Sequence, residues 1–171
     1  MVELPAYAQI VRSLPNGEHP YTLLFPIIAE SPASRRIESP TVSLPSLLSK
    51  ARVRIEPGDG YVWIDDEAPA IVLVEEYYRK GDPCDLYLDL LHELTHLRQL
   101  TEGQNIWDDS TCYVDRPTEI EGYAVAIEEG RRLGMTEVEV IRHLSNPWMS
   151  HQDVLRLRQN ADRFLANGRH P

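Results

Sequence analysis

His92 and His96, four residues apart with Glu93 between them, form the group in this chain best equipped for chemistry. On an α-helix that spacing stacks two imidazoles about one turn apart, so both reach one metal ion at ~2.0–2.1 Å. Glu93 then lies ~100° round the helix from His92 and ~60° from His96, beside such an ion. A carboxylate placed there can take a proton from a metal-activated water, which is the chemistry of metal-dependent hydrolysis.

These residues need a helix, and the flanking sequence supplies one. Asp82-Pro83 pairs an N-capping side chain with a proline at the first helical position, and Gly103 is a stop signal. A helical wheel collects Leu86, Tyr87, Leu90, Leu91, Leu94 and Leu97 on one arc. The opposite arc holds His92 and His96 with Asp85, Asp89 and Gln99, a polar set suited to the floor of a cleft. The competing reading is an amphipathic helix whose histidines are incidental.

A catalytic zinc takes three protein ligands and leaves one position for water, so a second helix must contribute one more. The stretch from Arg116 to Ile127 offers Glu119 and Glu121. At 100° per residue, Glu119 shares its face with Gly122, Tyr123, Ala126, Ile127, Gly130 and Leu133, which suit close helix contact. Glu121 shares its face with Glu128 and Arg132, which reads as a solvated face, and Thr118-x-x-Glu121 fits a capping box. Glu119 is therefore the preferred ligand over Glu121. Glycine weakens a helix by ~1 kcal/mol, so Gly122 and Gly130 on the Glu119 face point to tight packing there.

His92-Glu93-x-x-His96 followed by Glu119-x-x-Gly122 resembles the gluzincin class of zinc peptidases. The short spacing and the run Arg116-Pro117-Thr118-Glu119-Ile120-Glu121-Gly122-Tyr123 resemble the compact minigluzincin-type proteins, and Glu119 with a small residue at +3 and Ala126 at +7 also resembles peptidases of the ImmA/IrrE kind. The likeness covers residues 52–135. It implies one zinc ion held by His92, His96 and Glu119, hydrolysis of peptide bonds in a peptide or protein substrate, and a small zincin-like α+β fold. That fold has a short, mostly antiparallel sheet, an active-site helix, a glutamate helix and C-terminal helices. One departure is Tyr123, which stands where thermolysin-like members carry an acid that orients a histidine. Asp89 or a backbone carbonyl is left for that task. By its helical face Tyr123 is a candidate for stabilising a developing oxyanion or a packing aromatic, and Tyr113, Arg116, His143 and His151 are further donors by residue type.

Strands should precede the first helix. Arg52–Glu56 and Tyr61–Asp65 alternate with period two around Gly58-Asp59-Gly60 and read as a β-hairpin, with Ala70–Val74 as a third, more buried strand. The resemblance suggests this third strand as the open edge that an extended substrate joins. After the glutamate helix, Gly134 reads as a C′ glycine, and Thr136-x-x-Glu139 and Ser150-x-x-Asp153 open helices at about 137–144 and 151–166. The second carries Val154, Leu157, Ala161, Phe164 and Leu165 at helical spacing, and Arg169–Pro171 is a short tail expected to fray.

Residues 1–45 hold seven of the 13 prolines and no sustained period, which excludes long helices. Tyr21–Phe25 and Ile27-Ile28 are apolar enough for a strand or for lying across the domain. The segment reads as an irregular wrap that completes the core, with a lid over the cleft as the sharper alternative. Residues 1–171 thus form a single domain, divided into this segment, a catalytic core at 52–135 and C-terminal helices at 136–171.

Composition excludes several classes. With 42% hydrophobic residues the chain can fill one core, and no apolar run approaches a membrane span. The start Met1-Val2-Glu3-Leu4-Pro5 lacks a basic leader, so a cytoplasmic location is expected. A net charge of −10 repels phosphate backbones and anionic lipid, which argues against nucleic-acid and membrane partners. Cys84 and Cys112 make no disulfide framework; Cys112 reads as a structural thiol or, alternatively, a thiolate ligand or zinc-blocking switch. The expected chemistry has Glu93 as general base. The alternative is a latent or non-catalytic zinc-binding regulator on the same fold, and oligomeric state is not written in the sequence.

Overall fold

The sheet is built around its most apolar strand. In the computed structural model, which describes residues 3–168, the strands are β1 (Gly17–Pro20), β2 (Arg52–Glu56), β3 (Val62–Asp65) and β4 (Ala70–Val74), in the spatial order β1-β2-β4-β3. β4 is buried at every position, as a strand covered on both faces must be. It pairs parallel with β2 (Val53 opposite Ile71) and antiparallel with β3 (Ile64 opposite Ile71). The expected hairpin between 52–56 and 61–65 is therefore wrong. β4 lies between those two segments, the hairpin is β3-β4, and β4 is not the open edge. The edges are β3, with Trp63 exposed, and β1, which pairs antiparallel with β2.

Helices complete an α+β fold: α1 (Tyr21–Leu24), α2 (Pro32–Arg36), α3 (Leu44–Lys50), α4 (Glu75–Lys80), α5 (Pro83–Thr101), α6 (Pro117–Arg132), α7 (Glu137–Leu144) and α8 (His151–Asn167). Two of the three strand pairings are antiparallel. The Asp82 side chain caps α5 by accepting from the Cys84 and Asp85 amides, and Gly103 follows that helix with φ 75°, a left-handed position that favours glycine. Capping boxes open α7 at Thr136 and α8 at Ser150, and Gly134 has φ 93°. Val154, Leu157 and Ala161 of α8 are buried. The tail Arg169–Pro171 lies outside the described residues.

The proline-rich N-terminal segment forms only short elements. Tyr21–Leu24 is one helical turn rather than a strand, because Pro20 and Pro26 bracket it and remove backbone donors. Tyr21, Leu24, Phe25, Ile28 and Ile37 are nonetheless fully buried in the core. The Tyr21 hydroxyl donates to the Leu90 carbonyl on α5 (3.1 Å), and Arg12 donates to the Tyr78 and Gly81 carbonyls (2.9 and 2.8 Å). No helix among the described residues is long and apolar enough to cross a membrane.

Candidate metal centre

α5 is buried at every position from Leu90 to Gln99. The leucine arc is buried, and the opposite arc is covered by α6, so that His92, Glu93, His96 and Gln99 are each at most 8% exposed. The polar arc is therefore the floor of a nearly closed site. α6 starts with Pro117 at its first turn and presents Glu119 to the histidines. One oxygen of Glu119 (Oε2) lies 3.3 Å from His92 Nε2 and 3.5 Å from His96 Nε2. Ligand atoms on a tetrahedral ion with bonds of 2.0–2.1 Å are separated by ~3.4 Å.

That oxygen is buried and has no hydrogen-bond partner. A buried carboxylate oxygen without a donor is costly, and a cation between it and the two imidazoles removes the cost. Burial alone would raise the Glu119 carboxyl, but the two neighbouring histidines outweigh it and hold the group well below the usual carboxylate range. His92 is pushed down to about 4 by burial and by His96, against Glu119. Burial also works against charge on His96, yet Glu119 and Glu93 carry it up to about 9. His92, His96 and Glu119 are a buried group able to hold a metal ion.

The contact between α5 and α6 depends on glycine. A Cβ on Gly122 would stand 2.9 Å from His92 Nδ1 and 3.0 Å from its Cε1, so the ring lies directly on the α6 backbone. A Cβ on Gly130 would meet Met135 Sδ at 2.6 Å. Both glycines on the Glu119 face thus mark close packing. Tyr123 packs against His92 with ring centroids 4.3 Å apart and the planes inclined at 61°, while its hydroxyl meets that of Tyr113 (2.9 Å) and accepts from the Asn146 amide (3.2 Å). Burial, Tyr123 and Glu119 push the Tyr113 hydroxyl well above its ordinary value.

Glu93 lies outside the ligand set, and burial raises its carboxyl to about 8, with Glu119 and Asp89 adding and His96 opposing. Glu121 is not on a solvated face and forms no capping box with Thr118. Its carboxylate accepts from Gln99 Nε2 (2.9 Å) and pairs with buried Arg98, because the α5 contact reaches that side of α6 as well. Asp89 orients neither His92 nor His96. It accepts from the Tyr77 hydroxyl and lies 3.6 Å from His143 Nε2, whose Nδ1 meets Asp85 at 3.1 Å. His96 Nδ1 instead meets Gln99 Oε1 at 2.7 Å, and His92 Nδ1 has no partner.

The other donors named from residue type disperse. Arg116 pairs with Asp109 (2.6 Å), and His151 is exposed at the start of α8. Cys112 is exposed and absent from the converging group, so it is not a ligand in this arrangement. Asn146 had no signal in the sequence; Gln99 had one, its position three residues after His96. Comparison with known proteins gives no match to this chain among family models, curated proteins or solved structures.

Proposed function

We propose that this protein is a zinc-dependent metallopeptidase, with zinc held by His92, His96 and Glu119 and with Glu93 as general base. The observation that carries the reading is the orphaned, buried Glu119 Oε2, 3.3 and 3.5 Å from two imidazole nitrogens. Two nitrogens and one oxygen suit zinc. Among the described residues the converging group has three members, one fewer than a closed structural site uses. Zinc bound there supplies a Lewis acid and lowers the pKa of water to ~7.

The chain's own residues supply the rest. Glu93, next to His92 in sequence and free of the ligand set, receives a proton from water and returns it to the departing amine. We assign to the Tyr113–Tyr123 hydroxyl pair, beside Glu119, the donation to charge developing on a carbonyl oxygen. An extended peptide is taken up along β3, the edge strand that packs beside α5.

Zinc-loaded protein should hydrolyse unstructured peptides, with metal content near one ion per chain. Glu93→Gln should keep the metal and lose turnover. Wild-type protein that takes up no zinc, or Glu93→Gln that still cleaves, would overturn this reading. Zinc uptake with no cleavage of any peptide would favour the non-catalytic regulator, which needs no free base beside the ion.

A further inference from the structure

The two imidazoles are oriented by different means, and one of these assigns a role to residues that bind no metal. We infer that Gln99 is the positioning residue of the centre, presenting its side-chain carbonyl to His96 Nδ1 because Glu121 and the Thr118 carbonyl fix the other end of its amide. The inference rests on the zinc-binding part of the proposed function.

The chemistry of the partners settles which way the amide points. Gln99 Nε2 lies 3.1 Å from the Thr118 carbonyl oxygen and 2.9 Å from Glu121 Oε2. A backbone carbonyl only accepts, and so does an ionised carboxylate. Arg98, itself 4% exposed, donates to the same Glu121 oxygen, so that oxygen serves as an acceptor on both sides. The NH2 end of Gln99 must therefore face α6, which turns Oε1 towards His96 at 2.7 Å. An acceptor there requires a hydrogen on Nδ1. In the neutral ring, the form that binds an ion, the lone pair is thereby left on Nε2, the atom 3.5 Å from Glu119 Oε2. A buried chain from Arg98 through Glu121 and Gln99 thus sets which nitrogen of His96 is offered to the ion. His92 has no counterpart, since its Nδ1 is without a partner.

Gln99→Met keeps the volume and removes the acceptor. Zinc affinity, measured by competition with a chromophoric chelator, should fall about 10–100-fold. In zinc-loaded wild type labelled with 15N at its imidazoles, the His96 Nδ1 proton should appear as a downfield signal that exchanges slowly with water. Gln99→Met should lose it. Glu121→Gln, a milder change that also serves if Gln99→Met fails to fold, should fall between the two in affinity and speed that exchange.

Affinity and Nδ1 signal unchanged in both variants would overturn the inference while leaving the zinc site standing. Weaker binding with an unchanged signal would overturn it too, because the loss would then come from packing. Wild-type protein without zinc uptake would instead remove the parent reading, and this one with it.

Discussion

The surroundings of His92 and of His96 differ in kind. His92 is held by shape: its ring lies on the α6 backbone at Gly122 and makes a steeply inclined contact with the Tyr123 ring, and its Nδ1 has no partner. His96 is held by direction, through its 2.7 Å contact with Gln99. Packing fixes where a ring sits but not which nitrogen carries the proton, whereas a hydrogen bond fixes both. A site with one imidazole of each kind is sensitive to volume on one side and to donor–acceptor pattern on the other.

Gly122→Ala should give the largest effect. Three atoms of the His92 ring lie within 3.3 Å of the added carbon, and the buried ring also packs against Tyr123, so moving it disturbs that contact. Metal affinity should fall roughly 100-fold, with a stability cost of ~1–3 kcal/mol in thermal unfolding. Gly130→Ala is the control on the same face. There the obstacle is the flexible Met135 thioether, the gain in helix propensity is ~1 kcal/mol, and metal affinity should not move. Equal losses in both variants would mean that general helix separation, not the His92 ring, sets the site.

Tyr123 separates shape from hydrogen bonding within one residue. Tyr123→Leu removes the ring that covers His92 and should weaken zinc binding by about tenfold, in line with other supporting residues. Tyr123→Phe keeps the ring and loses only the contacts to Tyr113 and Asn146, so it should cost ~1 kcal/mol of stability and leave affinity within about threefold. The opposite order would assign His92 to hydrogen-bond control. Adding zinc should also stabilise the wild type by ~2.7 kcal/mol at a free concentration of 100 Kd, a gain removed by chelation.

His143 represents a third way of holding an imidazole, by charge, and should give the smallest effect. Burial disfavours its charged form, yet Asp85 and Asp89 outweigh this and raise its pKa. Burial likewise works against ionised Asp85, which His143 and Arg142 nonetheless hold below its ordinary value. The stabilisation from His143 is complete below its unfolded value of ~6.5 and is lost as pH rises through the higher folded one. That from Asp85 is present above ~3.9 and is lost as pH falls through the lower folded one. Wild type should therefore exceed Asp85→Asn in stability most between about pH 4 and 6.5, by ~1 kcal/mol, with the gap narrowing in alkali. A gap that widens with pH would reverse the assignment.

What the sequence disclosed follows from the range of the physics involved. Helix starts at Asp82, Thr136 and Ser150 rest on contacts spanning two or three residues, and all three caps are present. Glu119 meets the histidines because one helical face carries it together with Gly122 and Gly130. Strand order was not legible in the same way, since period-two alternation describes each strand and says nothing of its neighbour. The unbroken burial of Ala70–Val74 was nonetheless a sign of a central strand, and it conflicts with an edge position. Glu121 misled because a capping-box spacing and a solvated face are both local readings, while its partners Arg98 and Gln99 lie 23 and 22 residues away. Short β1 carries no strand signal, because Gly17-Glu18-His19-Pro20 has no apolar alternation.

The distant partners of the N-terminal segment bear on how this chain is made. Tyr21 waits for a carbonyl 69 residues downstream, and Tyr7 meets Arg132 across 125 residues. At a synthesis rate of about 5–20 residues per second, the interval between the emergence of Tyr21 and of its partner is roughly 3–14 s. During that time the Tyr21 hydroxyl lacks its acceptor, and Leu24, Phe25 and Ile28, which end in the core beside it, are made well ahead of α5.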